Sequence, residues 1–122
     1  MAKGPSEERV IQEIIIVFNQ KILAMKSSIE SKLKQLKLDF EEMRKIGMNA
    51  EIDVQQLNIS RELNSSIDKY YELDGKIQSK VITGSNDQER DMVTQCLEKV
   101  LENINKEKQR CGELELETRA AH

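Results

Sequence analysis

Two cysteines, Cys96 and Cys111, and one histidine, His122, are the residues of this 122-residue chain whose types best suit nucleophilic or metal chemistry. Their spacing suits neither. The histidine is the last residue, where nothing holds an imidazole in place, so no serine or cysteine has a base to activate it. Zinc needs clustered ligands, and cysteines fifteen positions apart with no histidine nearby are not a cluster. On one continuous helix that separation is about 22 Å, whereas a disulfide needs Cα atoms within about 7 Å. Three states stay open. The thiols are both reduced, with Cys96 in the core and Cys111 near the end of an apolar stripe. Alternatively they bridge within the chain, which requires a helix break near Asn103-Ile104-Asn105, or they pair between chains.

Carboxylates are abundant, but Glu41-Glu42, Glu113, Glu115 and Glu117 stand among polar neighbours and lack the apolar burial that tunes a general acid or base. No glycine-rich phosphate loop is present. The chain is therefore expected to be no enzyme and to use no cofactor and no metal. Two sequons, Asn58-Ile59-Ser60 and Asn64-Ser65-Ser66, make Asn58 and Asn64 candidate glycosylation sites, both off the apolar stripe of their predicted helix.

The formal charge of −3 is spread among interspersed acidic and basic residues, so no general pull toward nucleic acid or anionic lipid is expected. The local set Lys26, Lys32, Lys34 and Lys37 is surrounded by Glu30, Asp39 and Glu41 and reads as a solvated helix face. The longest apolar run, Ile14-Ile15-Ile16-Val17-Phe18, falls well short of the roughly 20 residues of a membrane span. The start has no apolar stretch long enough for a signal peptide. Two settings fit: a mature secreted chain carrying an added initiator Met, which is the leaning, or a cytoplasmic protein with its native start.

What must position these residues is helical. Ile11, Ile15, Phe18, Ile22, Met25, Ile29, Leu33, Leu36, Phe40 and Met43 recur at steps of three and four, one face of a continuous helix. The sequence predicts helix 1 over about 7–46, with Ser6 as N-cap, Glu7 and Glu8 at the positive end of its dipole and Gly47 as the terminating residue. Helix 2 is expected over about 50–82, with Ile52, Ile59, Leu63, Ile67, Tyr70, Ile77 and Val81 on its stripe, Gln56 and Asp74 interrupting it, and Gly84 closing it. Helix 3 is expected over about 87–112, capped by Ser85 with Gln88 or by Asn86 with Glu89. Its stripe is Val93, Leu97, Val100, Ile104, Cys111 and Leu114, with Lys108 where an apolar residue is due. A break near 103–105 would create a short fourth C-terminal helix, and 113–122 reads as a tail.

The expected fold is all-α: a single domain over 1–122, an antiparallel three-helix bundle with a long first helix of about 60 Å. With two Phe, two Tyr and no Trp, its core is aliphatic. The segment Ile14 to Phe18 is apolar all round the helix, more than one buried face requires. Either helices 2 and 3 straddle it or another molecule covers it. Ile14, Ile16 and Val17 are thus candidate protein-binding residues, as is Tyr71, whose neighbour Tyr70 falls on the stripe and belongs in the core. The expected partner is another protein, with a homodimer as an alternative.

Two resemblances bear on function. The start Ala2-Lys3-Gly4-Pro5-Ser6, the two sequons and the pair of cysteines resemble small helical secreted proteins of insects, including salivary proteins of blood-feeding mosquitoes. This likeness implies a non-enzymatic inhibitor that binds a host complement or clotting protein by surface contact. The second is local. Asp74, Lys76, Gln78, Ser79, Val81 and Ile82, then Leu97, Glu98, Leu101, Asn103 and Ile104, resemble part of the BAG-type co-chaperones, implying an intracellular co-chaperone or coiled-coil adaptor. A carrier of a small apolar ligand between the helices is a further alternative.

Overall fold

A computed structural model describes residues 5–50 and 54–120, with side chains described over 7–47 and 55–120. Helix α1 spans Pro5–Ala50, α2 Arg61–Gln78 and α3 Asp87–Ala120, with a short 3-10 turn at Val54–Leu57 leading into α2. At 1.5 Å per residue the three helices are about 69, 27 and 51 Å long. Cross-helix contacts set their directions. Lys26 meets Asp74 (2.6 Å), Tyr70 meets Glu30 (3.4 Å) and Arg44 meets Asn58 (2.6 Å), so α2 runs antiparallel to α1. Phe18 lies at Gly84 and Arg110 over Phe40, so α3 runs parallel to α1 and returns antiparallel to α2. The expected all-α bundle with a long first helix is the fold.

The apolar stripe of α1 is buried from Phe18 through Ile22, Ile29, Leu33, Leu36 and Phe40 to Met43, and it forms one core with Leu57, Leu63, Ile67, Tyr70, Leu73, Ile82, Val93, Leu97, Val100 and Ile104. Each such side chain, fully removed from water, contributes about 1.5–3 kcal/mol. The helix does not stop at Gly47. Position 47 is four beyond Met43 and is simply the next member of the buried stripe. There α1 meets the 3-10 turn so closely that a Cβ on Gly47 would lie 2.7 Å from Leu57 Cδ1. The missing side chain serves contact, not a turn. At the other end α1 starts at Pro5, a residue suited to a first helical position, so Ser6 falls inside the first turn rather than before it.

Helix 2 is shorter than its stripe suggested, and Val81, expected on that stripe, lies beyond the helix and is 66% exposed. Residues 54–57 are 3-10 and α2 begins only at Arg61, with the Ser60 hydroxyl accepting from the Leu63 N–H as N-cap (3.2 Å). Ile52 lies outside the described residues, as do Ala2, Lys3, Gly4 and His122. Nor does Gly84 close α2. The helix ends at Gln78; Lys80 takes a left-handed φ of 67°, and the Val81 and Lys80 N–H groups donate back to Lys76 O (2.9 Å) and Ile77 O (3.2 Å). This is a Schellman closure built on a lysine. Gly84 serves packing instead. At φ 82° it carries no Cβ, which would sit 2.6 Å from the Phe18 ring, and the α2–α3 loop thereby packs flat on α1. Asn86 caps α3 through Oδ1, accepting from the Gln88 and Glu89 N–H groups (2.7 and 3.3 Å).

Helix α3 is continuous through 103–105 and through the expected tail to Ala120, so no separate fourth helix exists among the described residues. Its buried stripe is Val93, Leu97, Val100, Ile104, Glu107, Cys111, Leu114 and Thr118, alternating steps of four and three, with Asn103 buried beside Ile104. Lys108, at the position where the stripe calls for an apolar residue, is exposed; the stripe passes through Glu107 instead. Thr118 satisfies its hydroxyl by donating to Leu114 O (2.6 Å).

Candidate protein-binding site

The first six turns of α1 carry more apolar surface than the core absorbs. Ile14 is 41% exposed, Ile16 54% and Val17 63%, and Val10 and Leu23 are exposed beside them. Helices 2 and 3 therefore do not straddle this segment. Successive residues turn by about 100° around a helix, so the three candidates do not share one face. Ile14 and Val17 lie together with Val10 on one flank of the buried stripe, whereas Ile16 and Leu23, seven apart, share the other. The Ile14 flank adjoins the start of α3: Ile11 and Ile14 line an open cleft of about 530 Å³ with residues 85–88 and Arg90. Arg90 is held there by Gly84 O (2.7 Å) and by Asp87.

Tyr70 and Tyr71 divide as their positions dictate. Tyr70 is 1% exposed, and its hydroxyl donates to Glu30 Oε1 at 3.4 Å. Burial first, then the neighbouring carboxylates of Glu30 and Asp74, hold its phenol well above the ordinary value of 10.0. Tyr71 is exposed, its ring 5.3 Å from that of Tyr70, and it is remote in sequence from the exposed flanks of α1.

Cys96 and Cys111 are free thiols on one uninterrupted helix, which rules out the alternative of a bridge between them: fifteen helical residues span about 22 Å. Burial raises both thiol pKa values above the ordinary 9.0. For Cys96, Lys69 opposes the rise; for Cys111, Asp39 and Glu115 add to it. Protonated thiols are weak nucleophiles. Among the described residues no three Cys, His, Asp or Glu side chains form a group able to hold a metal ion, and no helix is long and apolar enough to cross a membrane. Asn58 and Asn64 are both exposed and line one cleft of about 400 Å³ with Phe40 and Ile59, although the Asn58 Oδ1 accepts from Arg44.

A buried polar cluster escaped the sequence reading. Glu107, only 6% exposed, accepts from Arg110 Nη2 (2.8 Å) and Nε (3.2 Å) and from the Ser60 backbone N–H (3.1 Å). Arg110 lies 5.1 Å over the Phe40 ring and donates to the carbonyls of Gln56 (2.6 Å) and Asn58. Burial alone would raise the Glu107 pKa. The Arg110 and Ser60 hydrogen bonds and the Arg110 charge outweigh it, and the carboxyl sits below its ordinary 4.5. The cluster clamps the irregular chain between α1 and α2 onto α3; it is built for anchoring. The signal was the unbroken step rhythm of α3, which lands on Glu107 three residues after Ile104. Similarly Asp74, an interruption in the α2 stripe, meets Lys26 across the helix pair. Compared with known protein families, curated proteins and solved structures, the chain matches none.

Proposed function

We propose that this chain is a non-enzymatic protein-binding bundle that docks partners through the N-terminal half of α1. The observation that carries the reading is the exposure of Val10, Ile14, Ile16, Val17 and Leu23 within six turns of a helix whose remaining face is firmly packed. Apolar surface concentrated on a rigid element gives a partner an anchoring site without ordering a loop.

Two settings are proposed for that binding. In the first, the chain is a secreted inhibitor of insect salivary type acting on a host complement or clotting protein, supported by the exposure of Asn58 and Asn64 in their sequons. In the second it is an intracellular adaptor of co-chaperone type, supported by two free cysteines of the kind a reducing compartment preserves. The test is direct binding of the purified chain to a panel of complement and clotting proteins and to a heat-shock chaperone, with an Ile16→Asp/Leu23→Asp variant as control. A panel member should bind the wild type and lose about tenfold or more in affinity for the variant. Binding that is unchanged by the variant refutes the assignment of the surface.

A further inference from the structure

We infer that one occupant of this surface is a second copy of the chain, lying antiparallel along the Val10, Ile14 and Val17 flank of α1 and centred on Val17. The inference rests on the reading of this segment as a docking surface and names what covers one of its flanks. Glu13 and Lys21 decide the orientation. Each stands four residues from Val17, one toward either end of the helix, so both lie on the face of Val17 at about 6 Å of axial separation from it. Both are exposed, and neither has an ion-pair partner among the described residues. A two-fold axis through Val17 brings Glu13 of each copy against Lys21 of the other, closing two ion pairs at once. It also sets Val10, seven residues before the centre, on the small Ala24 of the partner copy, seven residues after it. A parallel arrangement would instead stack Glu13 on Glu13 and Lys21 on Lys21. Charge therefore selects the antiparallel register, while the exposed valines and Ile14 supply the apolar contact.

The oligomeric state of the whole chain, measured by sedimentation equilibrium, tests this. The wild type should show a concentration-dependent dimer. E13K and K21E should each weaken it by about tenfold, since each converts two attractive pairs into two repulsive ones. Mixed in equal amounts, the two variants should form a heterodimer of wild-type strength, because every pair is then opposite in sign. Oxidised V17C should give a disulfide-linked dimer, the two positions meeting at the axis, while V10C should not. All four substitutions are at exposed sites, and retained helical circular dichroism verifies folding. A wild type that stays monomeric at every concentration, an E13K chain that dimerises as well as the wild type, or V10C cross-linking as readily as V17C would overturn the inference. A monomeric chain that still binds a panel protein through Ile16 and Leu23 rejects the second copy and leaves the proposed function standing.

Discussion

Arg110→Ala is the substitution expected to do the most damage for a single surface-accessible side chain. It removes the donor to Glu107, to the Gln56 and Asn58 carbonyls and to the Phe40 ring in one step. What remains is a carboxylate 6% exposed with the Ser60 N–H as its partner. Removing one member of a buried ion pair typically destabilises by about 3–5 kcal/mol, because the other charge stays buried. A third of the Arg110 side chain (33%) is open to water, so the lower end of that range applies, about 3 kcal/mol. With urea slopes of about 1–3 kcal/mol/M, the unfolding midpoint at pH 7, followed by circular dichroism, should fall by about 1–3 M.

The pH dependence carries the sign of the cause. In the wild type the folded Glu107 pKa lies below 4.5, so its contribution is present above that value and is lost as pH falls through the folded pKa. Without Arg110 the burial effect prevails, the folded pKa rises, and the penalty for holding the charge is relieved on acidification. The gap between wild type and variant should therefore narrow toward pH 4. At pH 7, adding Glu107→Gln to Arg110→Ala should recover about 1–2 kcal/mol, since a neutral amide can still accept from Ser60 with far less desolvation. A shift below about 0.5 kcal/mol, or a double variant no more stable than Arg110→Ala alone, refutes the clamp.

Two glycines should answer oppositely to alanine. Gly84→Ala places a Cβ 2.6 Å from the Phe18 ring at φ 82° and should destabilise by about 2 kcal/mol or more, whereas Gly75→Ala meets open space inside α2 and should stabilise by about 0.5–1 kcal/mol, both read from thermal or urea unfolding. Thiol titration of the native chain at pH 7 with an aromatic disulfide reagent should be slow at both Cys96 and Cys111 and should yield two equivalents promptly in denaturant. Fewer than two equivalents after unfolding under non-reducing conditions would contradict the reduced state.

Helix α1 shows how far local pattern reaches. Ten apolar residues at steps of three and four announce a buried face because side-chain direction around a helix depends only on position along it. The same property identified Ile14, Ile16 and Val17 as surplus to that face, and they are exposed. Whether a neighbouring helix covers a side chain is not a local property, and only the packed bundle left those three uncovered and divided them between two flanks.

The ends of the helices and the polar members of the core belong to tertiary structure. Gly47 looks like a terminator in sequence, yet α1 continues through it, and its missing Cβ leaves the space that Leu57 fills. Lys80, not Gly84, turns left-handed at the end of α2, since the loop's packing on Phe18 fixes where glycine is needed. Glu107 and Ser60 lie 47 residues apart, and no spacing rule links them. Likewise the continuity of α3 through 103–105, which separates Cys96 from Cys111, follows from core contacts along its whole length. Sequence alone determined the helical class and the faces that α1 and α3 bury, through the fixed periodicity of the backbone. Where the helices stop, which charges are buried and which apolar residues stay in water depend on long-range contacts, and only the tertiary structure decided them.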